Sequence, residues 1–311
     1  MADASVAFSI PLLHSSYERS FDAEIDALTG GEILVRGRMR DHRFDFEHTW
    51  RLRTPEFEVL EASAQQNAGD ESRFNPELCR RYVEIKGARI GRGFSKRILM
   101  ELDDLPGAEE HLFLAIEMAR IGQQVVQLPP GFESQFAQSR SIGASEAAYH
   151  AWRIDRAYMP DLANSCYTYR DASEALFAGG VVRMGYSPEL YSPKPGDKRV
   201  FWREKRLTVS VKRDSQDKDF YACENTMNDT VHDITIGFDL ARDGVISNAH
   251  SRGLRLPYHG ICEHAQLRTA RLNRIRVNDG YTLQFADRIG RSEGCAHLFD
   301  LSIDLLRLFK F

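Results

Sequence analysis

The chain has 311 residues, of which 42% are hydrophobic, so it can bury the core of one large domain or of two ordinary ones. Its charges nearly cancel to a formal net charge of -4, which disfavours nucleic acid or an anionic membrane as a partner. Five widely spaced cysteines without a C-x-x-C pair fit free thiols in a reducing compartment. No apolar run reaches the roughly 18 residues of a membrane helix, so we expect a cytoplasmic protein.

The first 130 residues predict a sheet followed by helices. Short turns separate the first strands, and such connections favour an antiparallel meander. Asn75 followed by Pro76 is typical of a helix N-terminus, and Gly87 ends that helix. The predicted strands are 21–28, 32–39, 44–52 and 57–64, and the predicted helices are 76–85, 95–102 and 109–126.

Residues 131–180 predict a bridge of short helices, over 145–158 and 171–178. A flexible linker would lack large side chains, whereas this segment contains aromatic residues that include Trp152 and Tyr158. The aromatic side chains therefore indicate either core packing between two halves or a wall of an aromatic-lined pocket.

The last third repeats the order of a sheet followed by helices. Asp243-Gly244 is a strong hairpin signal between the last two strands. After Gly294, leucines at helical spacing predict an amphipathic terminal helix. The predicted strands are 199–212, 219–226, 231–240 and 245–252, and the predicted helices are 258–275, 281–289 and the segment after Gly294.

Histidine spacing suggests that the chain is duplicated. His48 and His111 are 63 residues apart (111−48), and His232 and His297 are 65 apart (297−232), each pair joining a third strand to a last helix. We therefore predict an α+β protein of two pseudo-symmetric units. Each unit is an antiparallel meander packed with helices, over residues 1–130 and 181–311, joined by the bridge at 131–180.

The last third of the chain contains His232-Asp233 in a predicted strand, Pro257 and Cys262 at a predicted helix start, and a closing motif of Gly294, Cys295, His297 and Leu298. These residues resemble the bacterial family named domain of unknown function 2889. The resemblance covers residues 199–311 and, in an eroded copy, 17–128, where Ala108 replaces the motif cysteine. Genes of this family often lie among genes for the breakdown of aromatic compounds and lipids in soil bacteria, so the resemblance implies catabolic metabolism.

The leading candidate chemistry is proton transfer by histidine. Imidazoles titrate near neutral pH, so His232 and His297, with Asp233 as an orienting carboxylate, could act as acid and base. His48 and His111 are their counterparts in the first copy. The alternative is a set of structural histidines, because strand alternation places consecutive residues such as His232 and Asp233 on opposite faces.

Cys295 is a second candidate, as a nucleophile whose thiolate a helix N-terminus would stabilise. Cysteine is also commonly buried, which is the structural alternative. His259, Cys262 and His264 have zinc-type side chains, with Cys295 and His297 as further candidate ligands. The favoured alternative is a helix start with a buried cysteine and two surface histidines. We predict no metal and no cofactor, since no nucleotide-binding motif occurs in the sequence.

The sequence-based hypothesis is a cofactor-independent lyase of aromatic catabolism, acting on a lignin-derived phenolic compound. It would bind a small aromatic molecule, and a homodimer is one possible assembly. The alternatives are a non-catalytic binding protein for an aromatic or acyl ligand and a metal-dependent hydrolase. The candidate substrate-binding residues are Arg43, Arg206, Trp152, Tyr158 and Tyr258.

Overall fold

The computed structural model describes residues 6–10, 12–69, 75–91, 93–102, 105–125, 144–186 and 193–311. These residues form strands and helices in an α+β arrangement, which confirms the predicted class. None of the described helices is both long enough and apolar enough to cross a membrane.

The strands are Ala7–Phe8 (β1), Ser16–Ala27 (β2), Glu32–Asp41 (β3), Phe44–Arg53 (β4), Glu58–Gly69 (β5), Arg183–Met184 (β6), Phe201–Arg213 (β7), Asp219–Asp229 (β8), Asp233–Ala241 (β9), Ile246–Arg255 (β10), Tyr258–His259 (β11) and Phe309–Lys310 (β12). The helices are Pro76–Tyr82 (α1), Phe94–Leu102 (α2), Ala108–Gly122 (α3), Ala144–Tyr158 (α4), Glu174–Ala178 (α5), Cys262–Leu267 (α6), Tyr281–Ile289 (α7) and Ala296–Leu306 (α8).

Eight strands form one antiparallel sheet in the order β10-β9-β8-β7-β2-β3-β4-β5. They correspond to the eight predicted strands, and neighbours in sequence pair as hairpins because their connections are short. Two small sheets, β1 with β12 and β6 with β11, complete the strand pairing of the described residues.

The described chain divides into two compact units. The N-terminal unit comprises 19–125 and 193–205, and the C-terminal unit comprises 6–18, 144–186 and 206–311. The described helices of the predicted bridge, α4 and α5, therefore belong to the C-terminal unit. Internal duplication stays a prediction.

In the N-terminal unit, helices cover the buried face of the strands. Asn75 caps α1 by accepting the Glu77 N–H at 3.0 Å, with Pro76 at the first helical position, as predicted. Trp50 on β4 is fully buried and donates its indole N–H to the Tyr82 hydroxyl at 3.0 Å. This bond fixes α1 to the strand that carries His48.

In the C-terminal unit, α8 packs on β8 and β9 through the predicted leucine stripe. Leu298, Leu301 and Leu305 are at most 1% exposed, since residues three and four apart share a helix face. Because α8 begins at Ala296, this packing also fixes the start of the helix, where His297 lies.

The predicted helix over 258–275 is wrong in its first part. Tyr258 instead pairs with Met184 in a short strand, and α6 begins only at Cys262. Gly260 separates them with φ +94°, and a Cβ there would lie 2.6 Å from the Val181 carbonyl oxygen. The chain must turn at this glycine, which a helical pattern of apolar residues does not reveal.

Replacing Leu301 with alanine should lower the free energy of unfolding by about 2 to 5 kcal/mol, because it leaves a cavity between α8 and the sheet. Leu267→Ala is the matched control, since Leu267 is 76% exposed and its truncation should cost less than about 0.5 kcal/mol. Urea unfolding followed by circular dichroism measures both values. Equal losses would contradict the packing described for α8.

Candidate functional site

The turn between β8 and β9 brings a carboxylate and an imidazole to one face. Strands β8 and β9 pair without a change of register as far as Asn228, which lies opposite Asp233. One residue further, the Asp229 N–H donates to the His232 carbonyl oxygen at 2.7 Å and closes a two-residue hairpin loop. Opposite residues of an antiparallel pair project to the same face, so the side chains of Asp229 and His232 meet.

The Asp229 carboxylate holds both the turn and the imidazole. Its Oδ1 accepts the backbone N–H groups of Val231 at 2.7 Å and His232 at 2.6 Å. Nδ1 of His232 lies 3.1 Å from Oδ1 and 3.3 Å from Oδ2. An ionised carboxylate can only accept, so it selects the tautomer with hydrogen on Nδ1 and leaves Nε2 as a proton acceptor.

The second imidazole comes from α8. Cys295 is the N-cap residue of this helix, and His297 lies in its first turn. The ring centroids of His232 and His297 are 4.2 Å apart at an interplanar angle of 50°. Gly294 lets the chain pass close to the end of α7 just before α8, because a Cβ there would lie 1.9 Å from the Ile289 carbonyl oxygen. The structure thus brings the two predicted histidines into contact, in a group that we call the Asp229–His232–His297 cluster.

Asp233 does not supply the carboxylate of this cluster, and the predicted His232–Asp233 couple is replaced by His232–Asp229. Asp233 is the first residue of β9 and pairs with Asn228 and Arg255, so alternation directs its side chain away from the face of His232. The sequence-based prediction did not include Asp229, because it ended one strand at Thr226 and began the next at Val231, whereas the observed strands end at Asp229 and begin at Asp233. The usable signal was an aspartate placed to accept N–H groups two and three residues later.

The other predicted pair also comes together. His48 Nε2 and His111 Nδ1 are 2.9 Å apart, and both residues are buried. The Tyr82 ring lies 3.9 Å from the His48 ring, and Phe46 stacks on His111 at 4.6 Å. Within the described residues, no carboxylate is hydrogen-bonded to either imidazole.

Burial keeps this second pair neutral. It lowers the pKa of His111 to about 4, and burial together with the nearby His111 lowers the pKa of His48 well below its ordinary value of 6.5. His48 Nδ1 is buried and has no hydrogen-bond partner among the described residues, whereas Nδ1 of His232 lies beside the Asp229 carboxylate. The two pairs therefore differ in chemistry although each joins a strand or turn to a helix.

Cys295 lies in an unfavourable position for a nucleophile. Burial raises the pKa of its thiol to about 12, outweighing the N–H groups of His297 and Leu298 at the helix start, which lower it. The thiol is therefore protonated near neutral pH. Its closest structural role is that of N-cap residue beside the cluster.

The two predicted substrate-binding arginines already have carboxylate partners. Arg43 lies with Nη2 2.7 Å from Asp41 and Nη1 3.4 Å from Glu110, with its side chain 10% exposed. Arg206 is 65% exposed and lies 3.4 Å from Glu18. Neither of these ion pairs involves a candidate histidine.

Two of the three predicted aromatic residues, Trp152 and Tyr258, are buried in the C-terminal unit. Tyr258 is fully buried and donates its hydroxyl to Asp155 Oδ2 at 2.8 Å. Trp152 is 3% exposed and donates to the Thr168 carbonyl oxygen at 2.9 Å. Tyr158 is the last residue of α4, and its side chain lies outside the described part of the structure.

The side chains considered as zinc ligands have other contacts. His259 Nδ1 lies 3.3 Å from Glu263, and Cys262 Sγ lies 3.2 Å from the Thr168 hydroxyl. Over the described ranges, no three His, Cys, Asp or Glu side chains form a group that could hold a metal ion.

Residues 199–308 match the family model described as "Protein of unknown function (DUF2889)". The match supports the family resemblance over about a third of the chain and includes all three members of the Asp229–His232–His297 cluster. No curated protein and no solved structure matches the chain.

Acidification should destabilise the protein through His111. Its folded pKa of about 4 lies below the ordinary 6.5, so the unfolded chain binds the proton first, and stability present above pH 6.5 is lost as the pH falls toward 4. Between pH 7 and pH 4.5 this histidine should account for a loss of roughly 2 kcal/mol. His111→Gln should therefore show a smaller pH-dependent loss in urea unfolding.

The control is His250→Gln, which replaces an exposed histidine and should keep the pH-dependent loss of the unsubstituted protein. An undiminished loss in His111→Gln would show that this imidazole is not held neutral by burial.

Proposed function

We propose that the Asp229–His232–His297 cluster is an acid–base site of a cofactor-independent lyase that acts on small phenolic compounds. The observation that carries the proposal is the buried hydrogen bond between Asp229 and His232 next to a second imidazole. A carboxylate on one ring nitrogen makes the other a positioned proton acceptor, which is the arrangement that general-base catalysis requires.

In the proposed reaction, His232 Nε2 accepts the phenolic proton. The electron pair of that O–H bond moves into the ring and forms a carbon–oxygen double bond. The side-chain bond to the leaving group then breaks, and its electron pair departs with that group. His297, as an imidazolium protonated on both ring nitrogens, gives one proton to that group and becomes neutral, while His232 keeps the phenolic proton, so protons and electrons balance without an external oxidant or reductant.

Asp229 acts as a positioning residue in this scheme. It fixes the tautomer of His232 and stabilises the imidazolium that forms when Nε2 is protonated. His48 and His111 lack this support, because both are held neutral by burial and neither has a carboxylate partner in the described structure. We therefore assign the reaction to the C-terminal pair and a structural role to the N-terminal pair.

The substrate class rests on the family resemblance, which implies the catabolism of aromatic compounds. The cluster adds that the substrate must offer an acidic O–H group and a bond whose cleavage is assisted by its deprotonation. A phenol with a leaving group on its side chain satisfies both conditions.

Asp229→Asn should lower kcat by a factor of about 100 or more, because the amide preserves the turn but can donate to Nδ1 and invert the tautomer of His232. His232→Ala and His297→Ala should each lose a factor of about 100 to 10,000. The assay follows products formed from a panel of lignin-derived phenolic dimers by liquid chromatography.

Asp233→Asn is the matched control and should keep activity within about threefold, since this carboxylate faces away from the imidazoles. Full turnover by folded His232→Ala and His297→Ala proteins would overturn the proposal. Binding of a panel compound by the unsubstituted protein without any product would favour the alternative of a binding protein.

A further inference from the structure

We propose that Arg255 is a positioning residue for His232, which rests on the proposed function of the cluster. Arg255 is the last residue of β10, and its described hydrogen bonds go to oxygen atoms of Asn228, Asp229 and His232 rather than to an imidazole. Its guanidinium instead holds the turn whose two ends carry Asp229 and His232. The proposed effect on the reaction is therefore indirect and acts through the geometry of the turn.

The Nη2 atom of Arg255 lies within hydrogen-bonding distance of three oxygen atoms. Nη2 lies 2.5 Å from the Asn228 side-chain oxygen, 2.6 Å from the Asp229 carbonyl oxygen and 3.4 Å from the His232 carbonyl oxygen. The contacts thus span both strands that enter the turn. Charge-assisted hydrogen bonds of this kind are stronger than neutral ones, so they restrict how far the two strand ends can separate.

A β-bulge brings Arg255 to this position. The register of β10 on β9 shifts between Gly253, which pairs with Ile234, and Arg255, which pairs with Asp233. Leu254 is the extra residue and is 61% exposed. Without the shift, Arg255 would lie opposite His232 itself. Bulges redirect side chains in this way and are over-represented beside active sites.

The conformation of the Arg255 side chain leaves one buried hydrogen-bond donor without an acceptor in the described structure. Arg255 Nε is buried and has no hydrogen-bond partner in the described structure. A buried donor without an acceptor is unfavourable, so the conformation is kept by the three Nη2 contacts. Side-chain conformations that leave a buried polar group without a hydrogen bond are expected at functional positions rather than at positions selected for stability alone.

Removal of the cation would leave the oxygens of Asn228, Asp229 and His232 facing one another. Their mutual repulsion would open the turn and lengthen the contact between Nδ1 of His232 and the Asp229 carboxylate. The hydrogen on Nδ1 would then exchange with water more readily. This consequence can be observed without knowledge of the substrate.

The test is NMR spectroscopy of protein with ¹⁵N-labelled histidine, recorded near pH 7 well below the unfolding temperature. The Nδ1–H cross-peak of His232 is assigned by its absence from His232→Gln. We expect Arg255→Ala to lose this cross-peak through exchange with water, and Arg255→Lys, which keeps a cation, to retain it. Arg252→Ala is the matched control on β10, where Arg252 is exposed, and should leave the peak unchanged.

An unchanged cross-peak in folded Arg255→Ala would overturn the proposal. If that variant does not fold, Arg255→Gln takes its place, and identical spectra for the Gln and Lys variants would overturn it equally. A merely stabilising role would lower the unfolding temperature of these variants without altering the His232 signal. Failure of the lyase proposal in activity assays would leave this spectroscopic result intact, so the two outcomes are distinguishable.

Discussion

The site depends on one buried hydrogen bond, between the Asp229 carboxylate and His232 in the turn from β8 to β9. Asp229 is fully buried and His232 is 4% exposed, so both groups are largely removed from water. A buried carboxylate is costly unless it is hydrogen-bonded, and this one accepts two backbone N–H groups as well as the imidazole. The same hydrogen bonds that offset the desolvation penalty of this carboxylate also fix the tautomer and the direction of the His232 ring.

The N-terminal pair shows what the same residue types do without that bond. His48 and His111 are as close to each other as a hydrogen bond allows, yet they lie among aromatic rings and remain neutral. Proximity of two histidines is therefore not sufficient for acid–base chemistry. In the proposed function, the carboxylate supplied by the turn residue Asp229 is what distinguishes the acid–base site from the buried His48–His111 pair.

Periodic features were predictable from the sequence, whereas contacts set by turns were not. The leucine stripe of α8 and the hairpin at Gly244 follow from spacing and backbone preference, and both are present. Histidine spacing also predicted which imidazoles meet. Spacing in the sequence did not predict the carboxylate partner of His232. The two-residue loop determines whether Asp229 or Asp233 lies on the same face of the hairpin as His232. The position of Arg255 depends in addition on a β-bulge, which shifts the pairing of β10 with β9 by one residue.

A double-mutant cycle on the free energy of unfolding at pH 7 tests the Asp229–His232 bond most directly. The cycle comprises Asp229→Asn, His232→Gln and the double variant, with Asp233→Asn and His232→Gln as the reference cycle. We predict a coupling of at least about 1 kcal/mol for Asp229 with His232, and additivity within about 0.5 kcal/mol for Asp233 with His232. Additive effects in the first cycle would contradict the account.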